Sequence, residues 1–206
     1  MLVVYGRASS SNVQKVLWLL EEIGLPYSCA HDVPPGKAKE SADYTKLNPN
    51  GLIPTIDEDG FVLWESNAIV RYLAAKHANG TIFPADLRVR ADADRWMDWQ
   101  ATVLAPQIAV VLMQSVRTPP EKRDNAALAA ACQFARDKAG VLDAALAGRN
   151  YIAGAGFTMG DIALGQWMWR YVSLVPDRPK HANLEAWYAR LQERPAFRKI
   201  VMTKLV

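Results

Sequence analysis

Residues 48–69 read NPNGLIPTIDEDGFVLWESNAI, and the order of residue types in this stretch decides the fold. A proline closes an apolar run, a hairpin follows, and Glu65-Ser66 stands directly before a helical pattern. Pro54 has no N–H to give to a ladder, so it belongs at a strand start or edge. A cis Ile53–Pro54 bond would turn the Ile53 amide and carbonyl to the sheet edge, open to an extended peptide. Ser66 is a preferred N-cap residue, and the helix behind it offers free N–H groups and a positive dipole end to a carboxylate. The two features lie about a dozen residues apart, joined by one strand. Together they describe a pocket for a small acidic peptide.

Working outward, Leu2–Tyr5 is a short β-type run ended by Gly6. From Asn12 to Ile23 apolar residues recur at helical spacing, with Gln14, Lys15, Glu21 and Glu22 read as the polar positions. Gly24 and Pro26 stop that helix. A second strand is expected near Tyr27–Asp32, broken by Val33-Pro34-Pro35-Gly36. This β–α–β order implies a right-handed crossover and a parallel pair. Leu52–Asp57 and Phe61–Trp64 then form a hairpin over Glu58-Asp59-Gly60, and Ser66–His77 is an amphipathic helix that packs on the sheet.

Asn79-Gly80 and Phe83-Pro84 form a turn-rich connector, and no convincing strand follows it. Helical patterns fill Arg88–Val116, Glu121–Ala147 and Thr158–Leu174, with two shorter helices after Asn183. Thr118-Pro119-Pro120 separates the first two. Thr158-Met-Gly-Asp161 reads as a capping box with Asp in place of Glu, a structural rather than catalytic use of Asp161. The expected organisation is therefore a domain over 1–79 and an all-helical domain over 87–206.

The 206 residues suffice for two small domains, and no apolar run approaches the ~20 residues of a membrane span. The start, MLVVYGRASSS, enters a strand and a turn rather than a signal peptide. Two distant cysteines, Cys29 and Cys132, fit reduced thiols and a cytoplasmic setting. Residues 1–79 carry seven Lys/Arg and nine Asp/Glu, or −2, while the remaining 17 and 12 give +5. These charges are scattered, with no basic–aromatic cluster, so nucleic acid is not an expected partner. No membrane partner is expected either.

A β–α–β plus β–β–α unit with a proline before its third strand, followed by an all-helical domain, resembles the cytosolic glutathione S-transferases. The matching pieces span almost the whole chain: Ser9-Ser10-Ser11-Asn12, LNPNGLIPTI at 47–56, WESNAIVRYLA at 64–74, Ile82-Phe83-Pro84-Ala85, and FTMGDIA at 157–163. The likeness is greatest to bacterial members with a first-turn serine, akin to the theta, phi and nu-like groups. It implies a thioredoxin-like N-terminal domain that binds glutathione and an all-helical C-terminal domain that supplies the electrophile site.

By this resemblance, Ile53 pairs its main chain with the cysteinyl segment of glutathione. Ser66 and the N–H groups after it hold the γ-glutamyl carboxylate, and Glu65 contacts the amine end. A cation from the loop after the second strand, Lys39 or Lys37, meets the glycine carboxylate. Leu52 stands where many relatives have a polar residue, and Asn50 is the expected compensation. The catalytic hydroxyl is expected at Ser10, with Ser11, Ser9 and Asn12 as neighbouring alternatives. The reading of SSS as only a polar turn and helix cap remains open.

The chemistry these residues must perform is thiol activation. A thiol of pKa ~8.5 reacts as its thiolate, and lowering that value by about two units takes roughly 2.7 kcal/mol. A hydrogen bond to a charged group supplies about 1.5–3 kcal/mol, and a helix N-terminus about 0.3–2 kcal/mol. One serine at a helix start therefore suffices, with no general base and no metal. With no cysteine among residues 6–16, a mixed-disulfide mechanism through that turn is unavailable.

The electrophile site is expected near Arg7-Ala8, Val103–Arg117 and Trp167-Met168-Trp169, with Leu112, Met113 and Trp169 among its lining. The expected activity is attack of glutathione thiolate on a small electrophile by substitution or addition, in a homodimer formed across the domain boundary. Rival readings are a glutathione-dependent peroxidase or lyase on the same site, or a non-catalytic adaptor of the same fold.

Overall fold

The structure, a computed structural model, describes residues 1–30 and 41–206. They separate into two compact units, Met1–Asn79 and Gly80–Val206.

The first unit carries a four-stranded sheet: β1 (Leu2–Tyr5), β2 (Tyr27–Ala30), β3 (Thr55–Glu58) and β4 (Phe61–Trp64), in the order β2-β1-β3-β4. β1 and β2 run parallel, joined by α1 (Ser11–Ile23), as the β–α–β reading requires. β3 is antiparallel to both β1 and β4, in a register that opposes Tyr5 to Thr55 and Thr55 to Trp64. α1 ends at Gly24, whose φ of 65° places it in the left-handed region while its N–H bonds Leu20 O. α3 (Ser66–His77) packs against α1.

Several sequence expectations shift here. β3 starts at Thr55 rather than Leu52, because Pro54 cannot donate and the chain only joins the ladder after it. β3 is also an interior strand, so Ile53 sits in the turn ahead of it rather than on an edge strand. The short helix α2 (Ala42–Leu47), capped by Ser41 Oγ accepting from the Tyr44 N–H at 3.2 Å, had no signal in the periodicity. The Val33–Gly36 break, Lys37 and Lys39 lie outside the described residues.

The largest difference concerns α1. Gln14 and Lys15, read as its polar face, are buried, 1% and 2% exposed. Val13 and every residue from Val16 to Leu20 are buried as well, so the helix is enclosed on all sides from Val13 to Leu20, while Glu21, Glu22 and Ile23 are half-buried.

The second unit is helical: α4 (Leu87–Trp99), α5 (Ala105–Leu112), α6 (Asn125–Ala145), α7 (Met159–Leu174), α8 (Ala182–Glu193) and α9 (Pro195–Ile200). The expected single helix over Arg88–Val116 is one continuous run with π-helical turns at Gln100–Leu104 and Met113–Arg117. Pro106 accounts for the first: it lacks an N–H and crowds the preceding turn, and widening the helix accommodates both defects. By length and composition alone this run is long and apolar enough to cross a membrane. Leu104, Ile108, Val111 and Leu112 are nevertheless buried, and α5 packs on α6 and α7.

Asp161 carries the predicted capping box at the start of α7. Its carboxylate is fully buried and accepts from Thr158 N at 2.8 Å, Ile152 N at 2.9 Å and Trp187 Nε1 at 2.8 Å, besides the Thr158 hydroxyl. One acid therefore ties the loop before α7, the segment at Ile152 and helix α8 to a single point. Gly160 beside it permits close approach to α4, since a Cβ there would lie 3.1 Å from Ala93 O. Asp143 of α6 plays a related part for α8, accepting from the Asn183 and Leu184 N–H groups.

Candidate active site

The first unit gathers three loops at the C-terminal end of β1. Gly6 makes this possible: its φ is 144°, and a Cβ would lie 2.6 Å from Val13 Cγ2 and 3.2 Å from Ile53 Cβ. Only glycine lets the β1–α1 turn and the Ile53 turn approach so closely.

The β1–α1 turn brings Ser10 to the N-cap position of α1 in extended backbone, φ −74° and ψ 130°. Its N–H donates to Arg7 O at 3.1 Å and its carbonyl accepts from Gln14 N at 2.9 Å. Its side chain makes no capping hydrogen bond. A serine at this position normally turns its hydroxyl to the helix amides, and here it does not. Ser11 and Asn12 are the first two helical residues, both half-buried.

The second loop is braced by a network the sequence did not reveal. Asn48 Nδ2 donates to Leu52 O at 2.7 Å, and Asn48 Oδ1 accepts from Asn50 N at 3.0 Å and Asn50 Nδ2 at 3.2 Å. Tyr44 Oη donates to the same Leu52 carbonyl at 2.6 Å and lies 2.9 Å from Thr55 Oγ1. Burial pushes the Tyr44 phenol up, with the Thr55 and Asn48 contacts pulling against it. The Ile53–Pro54 bond is cis. Ile53 N–H and C=O form no hydrogen bond among the described residues, whereas the Leu52 carbonyl just before them accepts from both Tyr44 and Asn48. Asn50 thus braces the turn, and Leu52 is 58% exposed.

The third segment opens α3. Ser66 is its first helical residue, and the N-cap position falls to Glu65, contrary to the sequence expectation. Glu65 adopts φ 71° and ψ 110°, a conformation that L-residues rarely occupy. Such strain persists where surroundings impose it and clusters at ligand clamps. Glu65 is exposed, while Ser66 and Asn67 are buried behind it.

Lys15 connects the first segment to the third. Its ammonium donates to Asn67 Oδ1 at 2.7 Å in the interior. Burial pulls the Lys15 amine from 10.5 down to about 7, with the Glu65 charge raising it and Arg71 lowering it further. The signal for this in the sequence is the run Val16-Leu17-Trp18-Leu19-Leu20 beside it, apolar around a full turn of the helix, which leaves the lysine no route to water.

Comparison with known proteins shows the family to which the chain belongs. The glutathione S-transferase N-terminal domain family matches residues 9–76, and the corresponding C-terminal domain family matches residues 104–195. The chain is 41% identical to "Glutathione S-transferase GstB" of Escherichia coli over 204 residues, 98% of each chain. The chain belongs to the glutathione S-transferase family. "Glutathione S-transferase 3" of Zea mays is 32% identical over 97% of this chain and 93% of its own. Among solved structures, the theta class glutathione S-transferase of Xanthomonas axonopodis pv. citri with glutathione bound superposes with a TM-score of 0.94 at 42% identity, covering 100% and 99% of the two chains.

As in the expected glutathione S-transferase architecture, a thioredoxin-like unit with a four-stranded sheet precedes a helical one. Ser10, Ser11, Asn12, Asn50, Ile53, Glu65 and Ser66 all belong to the three segments described above, within the first unit. In the second unit Leu112 is buried, Met113 is 44% exposed, and Trp169 donates its indole N–H to Thr203 O at 3.2 Å.

Proposed function

We propose that the protein binds glutathione on the three loop segments of its first unit, holds it as the thiolate through Ser10, and transfers it to a small electrophile. The observation that carries this reading is the Ser10 hydroxyl, which stands at the N-terminus of α1 without being used to cap it. A hydroxyl free of the helix amides has its proton available for sulfur, where the positive end of α1 adds to the effect. Ser11 and Asn12, one and two residues further on, are neighbouring donors to the same region.

The remaining segments suit the rest of the tripeptide. The Ile53 amide and carbonyl, without partners among the described residues, offer a short strand-like pairing to the cysteinyl residue. The first N–H groups of α3, with the Ser66 hydroxyl, receive the γ-glutamyl carboxylate. Glu65, exposed and held at positive φ, faces the ammonium. Asn50 acts on the peptide through the shape of the Asn48–Pro54 turn, and Lys39 remains the proposed partner of the glycine carboxylate.

The thiolate attacks carbon and forms the C–S bond. In substitution the halide leaves with the bonding pair. In addition to an activated double bond the pair passes to the neighbouring carbon, which takes a proton from water. Neither route asks for a base in the protein once the thiol is ionised.

The test compares the parent protein with Ser10→Ala, using a nitroaryl halide, a halogenated acid and an organic hydroperoxide, alongside retention on immobilised glutathione. The proposal expects retention by both proteins and a large loss of conjugation in the variant. Full conjugation by Ser10→Ala, or failure of the parent to be retained, contradicts it.

A further inference from the structure

The second unit contains a cavity of about 330 Å³ that uses none of the residues of the proposed thiol site. Its walls come from α7, from the segment ahead of α8, and from α8 itself, with Met168, Val172 and Leu184 giving an apolar face. Met168, Tyr171 and Val172 share one face of α7, being three and four residues apart. Trp169 points elsewhere on that helix, to Thr203.

Three polar atoms at this cavity lack a use within the fold. Tyr171 Oη, Tyr188 Oη and His181 Nε2 are buried and find no hydrogen-bond partner among the described residues. Both tyrosines are more than nine-tenths buried, 2% and 8% exposed, and all three residues line the cavity. A single buried hydroxyl without a partner costs about 1–3 kcal/mol, and native folds hold few such groups. Three around one cavity of ligand size indicate a site built to receive polar atoms.

The charges nearby select the kind of ligand. The Arg178 guanidinium lies over the Tyr171 ring, 5.6 Å from its centroid. Burial pushes both phenols up, the Arg178 charge opposes this at each, and Arg136 opposes it at Tyr171 as well. Arg136 reaches the same segment from α6, donating to Pro176 O at 3.1 Å. Glu185, the one carboxylate in the lining, is exposed at the rim. The field at the hydroxyls is thus positive, and both phenols have a proton to donate.

We infer that this cavity of the helical unit is a second ligand site, which binds a small carboxylate with a compact apolar body. The carboxylate sits between Arg178 and the Tyr171 and Tyr188 hydroxyls, and the apolar body lies on Met168, Val172 and Leu184. The site is distinct from the glutathione-binding segments and does not depend on the proposed transferase reading.

Benzoate is the probe, with benzamide as its uncharged counterpart, and the readouts are calorimetric titration and ligand-induced rise in Tm. The full-length protein, saturated with S-hexylglutathione to occupy the thiol site, is expected to bind benzoate in the millimolar range or tighter and benzamide at least about tenfold more weakly. Arg178→Gln is expected to weaken benzoate by about tenfold. Tyr171→Phe/Tyr188→Phe, which removes two unpaired hydroxyls, is expected to equal or exceed the parent Tm without ligand and to lose the benzoate response. The inference is overturned by an absence of benzoate binding, by displacement of benzoate by S-hexylglutathione, or by equal binding by the parent and both variants. A double-Phe protein less stable than the parent would show that the hydroxyls already serve the fold, and it too overturns the inference.

Discussion

Lys15 Nζ and Asn67 Oδ1 meet at 2.7 Å in the interior of the first unit, joining the helix that carries Ser10 to the helix that follows Glu65. This contact fixes the N-terminal ends of α1 and α3 relative to each other, and those ends are where a thiol and a carboxylate are proposed to sit. Its cost is a buried amine whose protonation is disfavoured.

That cost gives a stability prediction with a definite sign. The Lys15 pKa is about 7 in the fold against 10.5 for an ordinary lysine. Between those values the unfolded chain holds a proton that the folded chain has released, so stability rises with pH across the window. It is lost again as the pH falls from 10.5 towards 7 and the buried amine recharges. Denaturant titrations of the parent and Lys15→Met between pH 7 and 10 are expected to differ in slope. The parent should gain on the order of 3–5 kcal/mol relative to the variant over the full window. Parallel profiles for the two proteins would contradict the assignment.

The Ile53 turn is held by the Tyr44 hydroxyl on Leu52 O. Tyr44→Phe keeps the ring and removes the bond, at an expected stability cost of about 1 kcal/mol. If the turn positions glutathione, steady-state kinetics should show KM for glutathione raised about three- to tenfold, a loss near 1 kcal/mol of binding, with kcat little changed. A fall in kcat at constant KM would place Tyr44 in the chemistry instead.

Glu65 combines a polar role with an unfavourable backbone. Glu65→Gly removes the carboxylate and the side-chain clash together. The expected result is a Tm at or above the parent with glutathione affinity weakened by about tenfold or more. Strain held for binding predicts these opposite movements. A joint fall in Tm and affinity would mean that the residue mainly serves the fold.

Asp161 is predicted to matter for folding and not for chemistry. Asp161→Ala leaves the Ile152 and Thr158 amides and the Trp187 indole without their shared acceptor. Unfolding measurements should register a loss of about 3 kcal/mol or more. Turnover per folded molecule should match the parent, and a specific loss of turnover would contradict the purely structural role.

Much of this was legible in the sequence because local rules and tertiary structure agree there. Gly24 after an apolar period, Asp59-Gly60 between two short strands and Thr158 three residues before Asp161 each act within one turn of chain. The Ile53-Pro54 turn and Glu65-Ser66 were found for the same reason. Contacts that close over long separations were not legible. Lys15 meets Asn67 across 52 residues, and Tyr44 reaches Leu52 from a short helix with no periodic signal. Ser66 was misplaced by one position because N-cap preference favours serine, whereas the chain puts Glu65 there at positive φ. Propensity describes what a residue prefers, and Glu65 adopts what its surroundings impose.

The Ser10 hydroxyl is proposed to stabilise the glutathione thiolate. Spectroscopic titration of the bound thiol in the parent and in Ser10→Ala tests it most directly. The parent should ionise glutathione about two units below the ~8.5 of a free thiol, and the variant should still bind glutathione with the thiol returned close to that value. A Ser10→Ala protein that binds glutathione and still ionises its thiol about two units below that value, as the parent does, would contradict this role.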